Sequence, residues 1–227
     1  CCDTASDPVG KRLVKHPRAA IVDFTGSARF GAWVEGNAHP ALCFTETSGV
    51  NTVVVESVEA LEPVVRSLAT TMSLFSAQMC TPPQNVYVPR DGIRCGGRRI
   101  APEEFGATLA DAIGFIAGDD RRAGQIMAAI QSPGTLALVD EIAEYGRRRG
   151  RVLRESAPYA HAEFPAARTR TPLLVALEAG ARDLYGEERF EPMSFLIRAP
   201  SRETTLADAT ERVREHGAIT SHVYSTD

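Results

Sequence analysis

Asn51-Thr52-Val53-Val54-Val55-Glu56 is followed by Val58, Leu61, Val64, Val65, Leu68, Met72 and Phe75, and then by Gln78-Met79-Cys80-Thr81-Pro82-Pro83-Gln84-Asn85. The first run, short and β-branched, is the strongest strand signal in the chain. The second set recurs at three- and four-residue steps, so it predicts one apolar face of a long helix running from Val58 toward Gln78. Thr81-Pro82-Pro83 stops that helix, because neither proline can donate a ladder hydrogen bond. Asn85 to Val88 then reads as the next strand. Strand, helix and strand in this order are the unit of a parallel sheet.

The same alternation extends in both directions. Upstream, Asp7-Pro8 opens a short helical segment ending near His16-Pro17, with Asp7 as N-cap and Pro8 at the first helical position. Ala19 to Phe24 reads as a buried strand, Ala28 to Asn37 as a helix and Ala41 to Thr45 as a short strand. Downstream, helices are expected over 102–117, 120–131, 136–149 and 204–216, with strands near 151–155, 172–177, 193–198 and 218–224. The fold class is α/β with a largely parallel sheet.

The composition sets limits. The 227 residues are 44% hydrophobic and 24% charged, with a net charge of −4. An acidic balance argues against a nucleic-acid partner, and no apolar run reaches the roughly 18 residues of a membrane span. The first residues lack the basic and apolar regions of a signal peptide. Five cysteines without a C-x-x-C pattern point to reduced thiols in a cytoplasmic compartment. The five histidines show no metal-ligand spacing, so no metal is assigned. Arg147-Arg148-Arg149 with Arg151 reads as a solvated helix end, and Trp33 as core.

Three places can carry chemistry. Cys80 stands where the long helix breaks, which can expose a thiol to a cleft, although a free cysteine is more commonly a small buried apolar residue. Glu46 stands at a strand end opening into a small-residue turn, where a carboxylate can deprotonate a water or simply be solvated. Phe24-Thr25-Gly26-Ser27-Ala28-Arg29-Phe30-Gly31 leads from strand to helix, so its backbone N–H groups can receive a phosphate or its serine can merely cap.

Taken in order, these motifs resemble the aldehyde dehydrogenase superfamily. They are His16-Pro17 with Phe24-Thr25-Gly26-Ser27, then Glu46-Thr47-Ser48-Gly49-Val50-Asn51, then Gln78-Met79-Cys80. Glu187-Glu188-Arg189-Phe190-Glu191-Pro192 and His216-Gly217 through Tyr224-Ser225-Thr226-Asp227 complete the series. Within the superfamily, Ser76-Ala77-Gln78-Met79-Cys80-Thr81-Pro82-Pro83-Gln84-Asn85 is similar to the PaaN branch of bacterial phenylacetate degradation. The resemblance implies a three-layer aldehyde dehydrogenase-like fold truncated to its C-terminal half. It implies a remnant of the cofactor-binding domain over 1–46 and a catalytic domain over 47–227. It also implies Cys80 as nucleophile and Glu46, 34 positions earlier, as general base.

By the same resemblance, Gly26, Ser27 and Gly31 line a site for NAD or NADP. Thr47 stands near the nicotinamide, Glu188 at a ribose and Phe190 beside the nicotinamide half. The substrate implied is an aldehyde, with a CoA-linked semialdehyde among the candidates, and the assembly a homodimer or homotetramer. Departures from the family pattern stand at Ser48, Val50, Ala77, Asn85 and Glu191. They motivate a second reading, a dehydrogenase-derived scaffold or binding domain with weak or lost catalysis. Two further expectations follow from the implied truncation: little turnover by the isolated chain, and an exposed apolar face prone to association.

Overall fold

The computed structural model describes residues 6–47 and 49–226; Cys1, Cys2, Ser48 and Asp227, which entered the sequence reading, lie outside the described residues. The chain divides into two compact units, residues 1–48 and 49–227.

The smaller unit holds α1 (Val9–Val14), β1 (Ile21–Gly26), α2 (Ala28–Asn37) and β2 (Leu42–Thr47). β1 and β2 pair in parallel, with Ile21 opposite Leu42 and Gly26 opposite Thr47. Two expectations need correcting here. Pro8, not Asp7, occupies the N-cap of α1, while the Asp7 carboxylate pairs with Arg12. β1 is not a buried strand: its residues alternate exposed and half-buried, because α2 packs against only one face of the two-stranded sheet. The other face is open: Ile21, Leu42 and Phe44, all more than half exposed, share it with Asp23, Thr25 and Glu46. Trp33 is half-buried, stacked on Phe30, and the chain's only two lysines, Lys11 and Lys15, lie over its ring. Those cation–π contacts hold α1 against α2.

The larger unit begins with β3 (Thr52–Val55), β4 (Ser57–Val58), α3 (Leu61–Ser73), a 3₁₀ turn at Leu74–Ala77 and β5 (Asn85–Pro89). It continues through β6 (Ile93–Cys95), β7 (Arg98–Ile100), α4 (Pro102–Ala117), α5 (Asp120–Ile126), α6 (Pro133–Arg149) and β8 (Arg151–Arg154). β9 (Leu173–Glu178), α7 (Arg182–Tyr185), β10 (Met193–Ala199), α8 (Arg202–His216) and β11 (Ser221–Tyr224) complete it.

Its main sheet has the order β11-β3-β5-β10-β9-β8, parallel throughout except for the edge strand β8. Strand alternation sends Val53, Val55, Val86, Val88, Leu174 and Leu196 to one face, against α3, α4 and α5. Val54, Tyr87, Leu173, Val175, Phe195 and Ile197 go to the other, against α6 and α7. Helices on both faces of a buried parallel sheet make three layers, which is why these strands read as unbroken apolar runs.

Several boundaries move. α3 ends at Ser73 rather than near Gln78, since Leu74 is extended and Phe75, Ser76 and Ala77 all take positive φ. Val58 accordingly belongs to β4, and Phe75 is 52% exposed rather than part of the core stripe. α5 stops at Ile126, and α6 starts at Pro133 behind the Ser132 cap. Arg147, Arg148 and Arg149 close α6, Arg147 and Arg148 pairing with Glu144 and Arg149 with Asp183. No helix among the described residues is long and apolar enough to cross a membrane.

Candidate active site

In the smaller unit the structure gathers Gly26, Ser27, Gly31, Glu46 and Thr47 at the C-terminal ends of two parallel strands and the start of α2. Ser27 caps α2, its hydroxyl accepting from Phe30 N–H at 3.4 Å. A side chain at Gly31 would meet the Thr47 methyl at 2.7 Å, so only glycine lets the helix approach β2 this closely. Thr47 is half-buried, and Glu46, beside it, is exposed on the open face. Strand ends leading into a helix N-terminus present backbone N–H groups and a positive dipole end, a donor set that suits a pyrophosphate.

In the larger unit Cys80 follows the 3₁₀ turn and is exposed, so the reading of it as a small buried apolar residue does not hold; that description fits Cys95. The approach to Cys80 is braced from one side by Ser76 and Gln78. Ser76 Oγ donates to the Ala128 carbonyl at 2.9 Å. The Gln78 carboxamide donates to the Ala129 carbonyl at 3.0 Å and accepts from Gln131 N–H at 2.9 Å. Three left-handed residues in a row, none of them glycine, each cost roughly 1 kcal/mol or more, and these side-chain bonds hold them there.

Beyond Cys80 the chain enters β5 through Gln84 and Asn85, both buried. The Gln84 carboxamide donates to the carbonyls of Tyr185 (3.1 Å) and Glu187 (2.9 Å) and accepts from Arg189 N–H (2.6 Å). Asn85 adds a second donor to the Tyr185 carbonyl at 3.1 Å. These bonds fasten the segment that carries half-buried Glu188 and exposed Phe190 directly to the segment that carries Cys80. The parallel register explains the meeting. Asn85 opposes both Thr52 and Phe195, so the segments preceding β3, β5 and β10 lie side by side at the N-terminal edge of the sheet.

Glu191 is the unexpected group. One of its carboxylate oxygens is buried with no hydrogen-bond partner. Burial pushes its pKa up to about 7; Arg189 opposes the shift and Glu188 adds to it. Sequence reasoning also passed over Gln84 and Asn51 as structural supports. The available signal was polarity: each is an amide at the mouth of a strongly apolar strand, where a buried polar group needs partners.

Among solved structures, a Burkholderia multivorans NAD-dependent aldehyde dehydrogenase superposes with a TM-score of 0.90 at 40% identity, covering 96% of this chain and 38% of that one. The sequence model of the aldehyde dehydrogenase family matches residues 2–225. The chain belongs to the aldehyde dehydrogenase family.

Its three-layer α/β architecture is the aldehyde dehydrogenase fold. A methylmalonate-semialdehyde dehydrogenase from Sinorhizobium meliloti, described as putative and complexed with NAD, shares that fold at 15% identity with a TM-score of 0.70. It covers 95% of this chain and 42% of that one. Among curated proteins, 1-pyrroline-5-carboxylate dehydrogenase 1 of Halalkalibacterium halodurans is 24% identical over 153 residues, 64% of this chain and 28% of the relative. The 3-succinoylsemialdehyde-pyridine dehydrogenase of a Pseudomonas species is 34% identical over 83 residues, 36% of this chain and 17% of the relative. The chain therefore spans less than half the length of these aldehyde dehydrogenases.

Proposed function

We propose that this chain carries the reacting half of an NAD(P)-dependent aldehyde dehydrogenase, with residues 1–46 belonging to a cofactor-binding domain and 47–227 to the catalytic domain. The observation that supports this best is the fastening of an exposed Cys80 loop to the Glu188–Phe190 segment through Gln84. Gly26, Ser27, Gly31 and Thr47 would hold the dinucleotide from the smaller unit, and Glu188 and Phe190 would hold its ribose and nicotinamide half. When bound, the nicotinamide supplies the hydride acceptor.

The Cys80 thiolate adds to the aldehyde carbon, forming an S–C bond as the carbonyl electrons move to oxygen. The Cys80 backbone N–H can donate to that oxyanion, a contact typically worth a few kcal/mol in the transition state. Loss of hydride leaves a thioester on Cys80. Glu46 then takes a proton from a water, whose oxygen attacks the thioester carbon; the carboxylic acid departs and the thiolate returns.

The finer assignment, oxidation of an aldehyde in phenylacetate degradation with a CoA-linked semialdehyde as one candidate, is supported by the Ser76–Asn85 stretch. Free thiols at Cys43, Cys80 and Cys95 fit a cytoplasmic protein. By the same reading the whole protein assembles as a homodimer or homotetramer. Because the 227 residues cover 38% of their Burkholderia relative, the polypeptide alone is expected to turn over little.

Stopped-flow formation of NADH or NADPH by the intact protein tests the mechanism. Cys80→Ala should abolish the burst. Glu46→Gln should keep it while slowing turnover by roughly 10²-fold or more. A burst unchanged in Cys80→Ala excludes the mechanism. One observation favours the second reading, a scaffold with lost catalysis: one oxygen of the half-buried Glu191 carboxylate, next in sequence to Phe190, is buried with no hydrogen-bond partner. Equilibrium binding separates the two readings, since micromolar cofactor affinity supports the enzyme and its absence the scaffold.

A further inference from the structure

We propose that Asn51 is the positioning residue of the Cys80 loop, an inference that rests on the reading of Cys80 as nucleophile. Asn51 precedes β3 and is 3% exposed. Its Nδ2 donates to the Cys80 carbonyl at 2.7 Å and to the Pro82 carbonyl at 3.2 Å. Its Oδ1 accepts from the backbone N–H groups of Ile219 and Thr220, each at 3.0 Å. Its own carbonyl receives Gln84 and Asn85 N–H, both at 3.1 Å.

The carboxamide thus spends both donors on the nucleophile loop and its acceptor on the segment entering β11. Fixing the Cys80 carbonyl fixes the plane of the following peptide. Thr81-Pro82-Pro83 has little freedom to compensate, because each proline locks its own φ. Thr220 reinforces the tie from the other side, its hydroxyl donating to the Thr81 carbonyl at 3.1 Å. The orientation of the thiol is therefore set by a residue 29 positions earlier and a segment about 140 positions later.

No common substitute does the same work. Aspartate keeps the acceptor toward Ile219 and Thr220 but sets a carboxylate against two carbonyl oxygens. Alanine takes the side-chain partner away from two carbonyls and two N–H groups. Asn51→Asp therefore separates the two halves of the tie.

In the intact protein, Asn51→Asp should slow the hydride-transfer burst at least tenfold and lower kcat in step, with cofactor Kd within twofold of wild type. By hydrogen exchange, the Ile219 and Thr220 amides should stay protected, which a general loss of structure would not allow. Thr220→Val, which keeps the backbone N–H and removes one bond to the loop, should slow the burst two- to fivefold without moving the melting midpoint. Burst rates within twofold of wild type in Asn51→Asp overturn the proposal. If that variant does not fold, an unchanged burst in Thr220→Val overturns it alone. A wild-type protein with no burst at all defeats the dehydrogenase reading instead. In that case the proposal is decided by exchange at the Gln84 and Asn85 amides, which should quicken at least tenfold in Asn51→Asp and, if unchanged, overturn it.

Discussion

Glu191 is one of the departures from the resembled pattern, and the structure shows what its carboxylate entails. Its buried oxygen has no partner, so the charged form loses hydration without a compensating hydrogen bond. With the folded pKa raised from 4.5 to about 7, the native state binds more protons than the unfolded state between those values. Stability must then fall as pH rises through that window, the loss being complete above it. Glu191→Gln removes the titration and should stabilise the protein by about 1–2 kcal/mol at pH 8, discounted for the partial exposure of the group, with little effect near pH 4.5. Urea midpoints at the two pH values measure this. Parallel stability curves for the two proteins between pH 4.5 and 8 would show that Glu191 does not titrate as described.

At the scale of elements, the segment joining α3 to β5 is where the sequence and the structure part most. The long periodic stretches around it were legible because burial dictates their pattern: Val64, Val65, Leu68 and Met72 face the core as their spacing predicts. The last turns were not. Nothing in Leu74-Phe75-Ser76-Ala77 signals a left-handed path, which is imposed from outside by Ala128, Ala129 and Gln131. β4, β6 and β7 are two- or three-residue strands, too short to show a period, and they escaped notice for that reason.

The site divides the same way. Cys80, Glu46 and the Glu188–Phe190 segment are candidates because an ordered set of motifs marks them. Asn51 and Gln84 act through partners 29 to 169 positions away, which spacing cannot reveal. Ala77 offers a direct test of the turn. It takes φ +53, a conformation that favours glycine. Ala77→Gly relieves left-handed strain but adds unfolded-state freedom, so stability should hold or rise by up to about 1 kcal/mol. Ala77→Val, β-branched in the same conformation, should lose about 1–3 kcal/mol. A glycine variant clearly less stable than wild type would mean the turn is not left-handed at this residue.

For the molecule as a whole, the larger unit places its candidate site segments at the N-terminal edge of the sheet and devotes the interior beneath α7 and α8 to a polar lock. Asp208 on α8 is 4% exposed and accepts from the hydroxyls of Tyr87 on β5 (2.7 Å) and Tyr185 on α7 (3.0 Å). Arg182 reaches its other oxygen at 2.8 Å. Tyr185 is also the residue whose carbonyl receives Gln84 and Asn85, so the lock and the site share one anchor. Burial, with Asp208 adding to it, holds both phenols well above the ordinary tyrosine range. A group with a raised folded pKa is ionised more readily when unfolded, so these two tyrosines draw stability out of the fold as pH climbs past about 10. In an alkaline titration followed at 295 nm, Tyr87 and Tyr185, two of the five tyrosines, should ionise only in a cooperative step that coincides with loss of the circular-dichroism signal. Tyr87→Phe should shrink that step by one tyrosine and, by leaving the Asp208 carboxylate short of a donor, lower stability at neutral pH by about 1–3 kcal/mol. Gradual ionisation of every tyrosine ahead of unfolding would show that the lock is open to water, and that the anchor behind the Glu188 segment is not rigid.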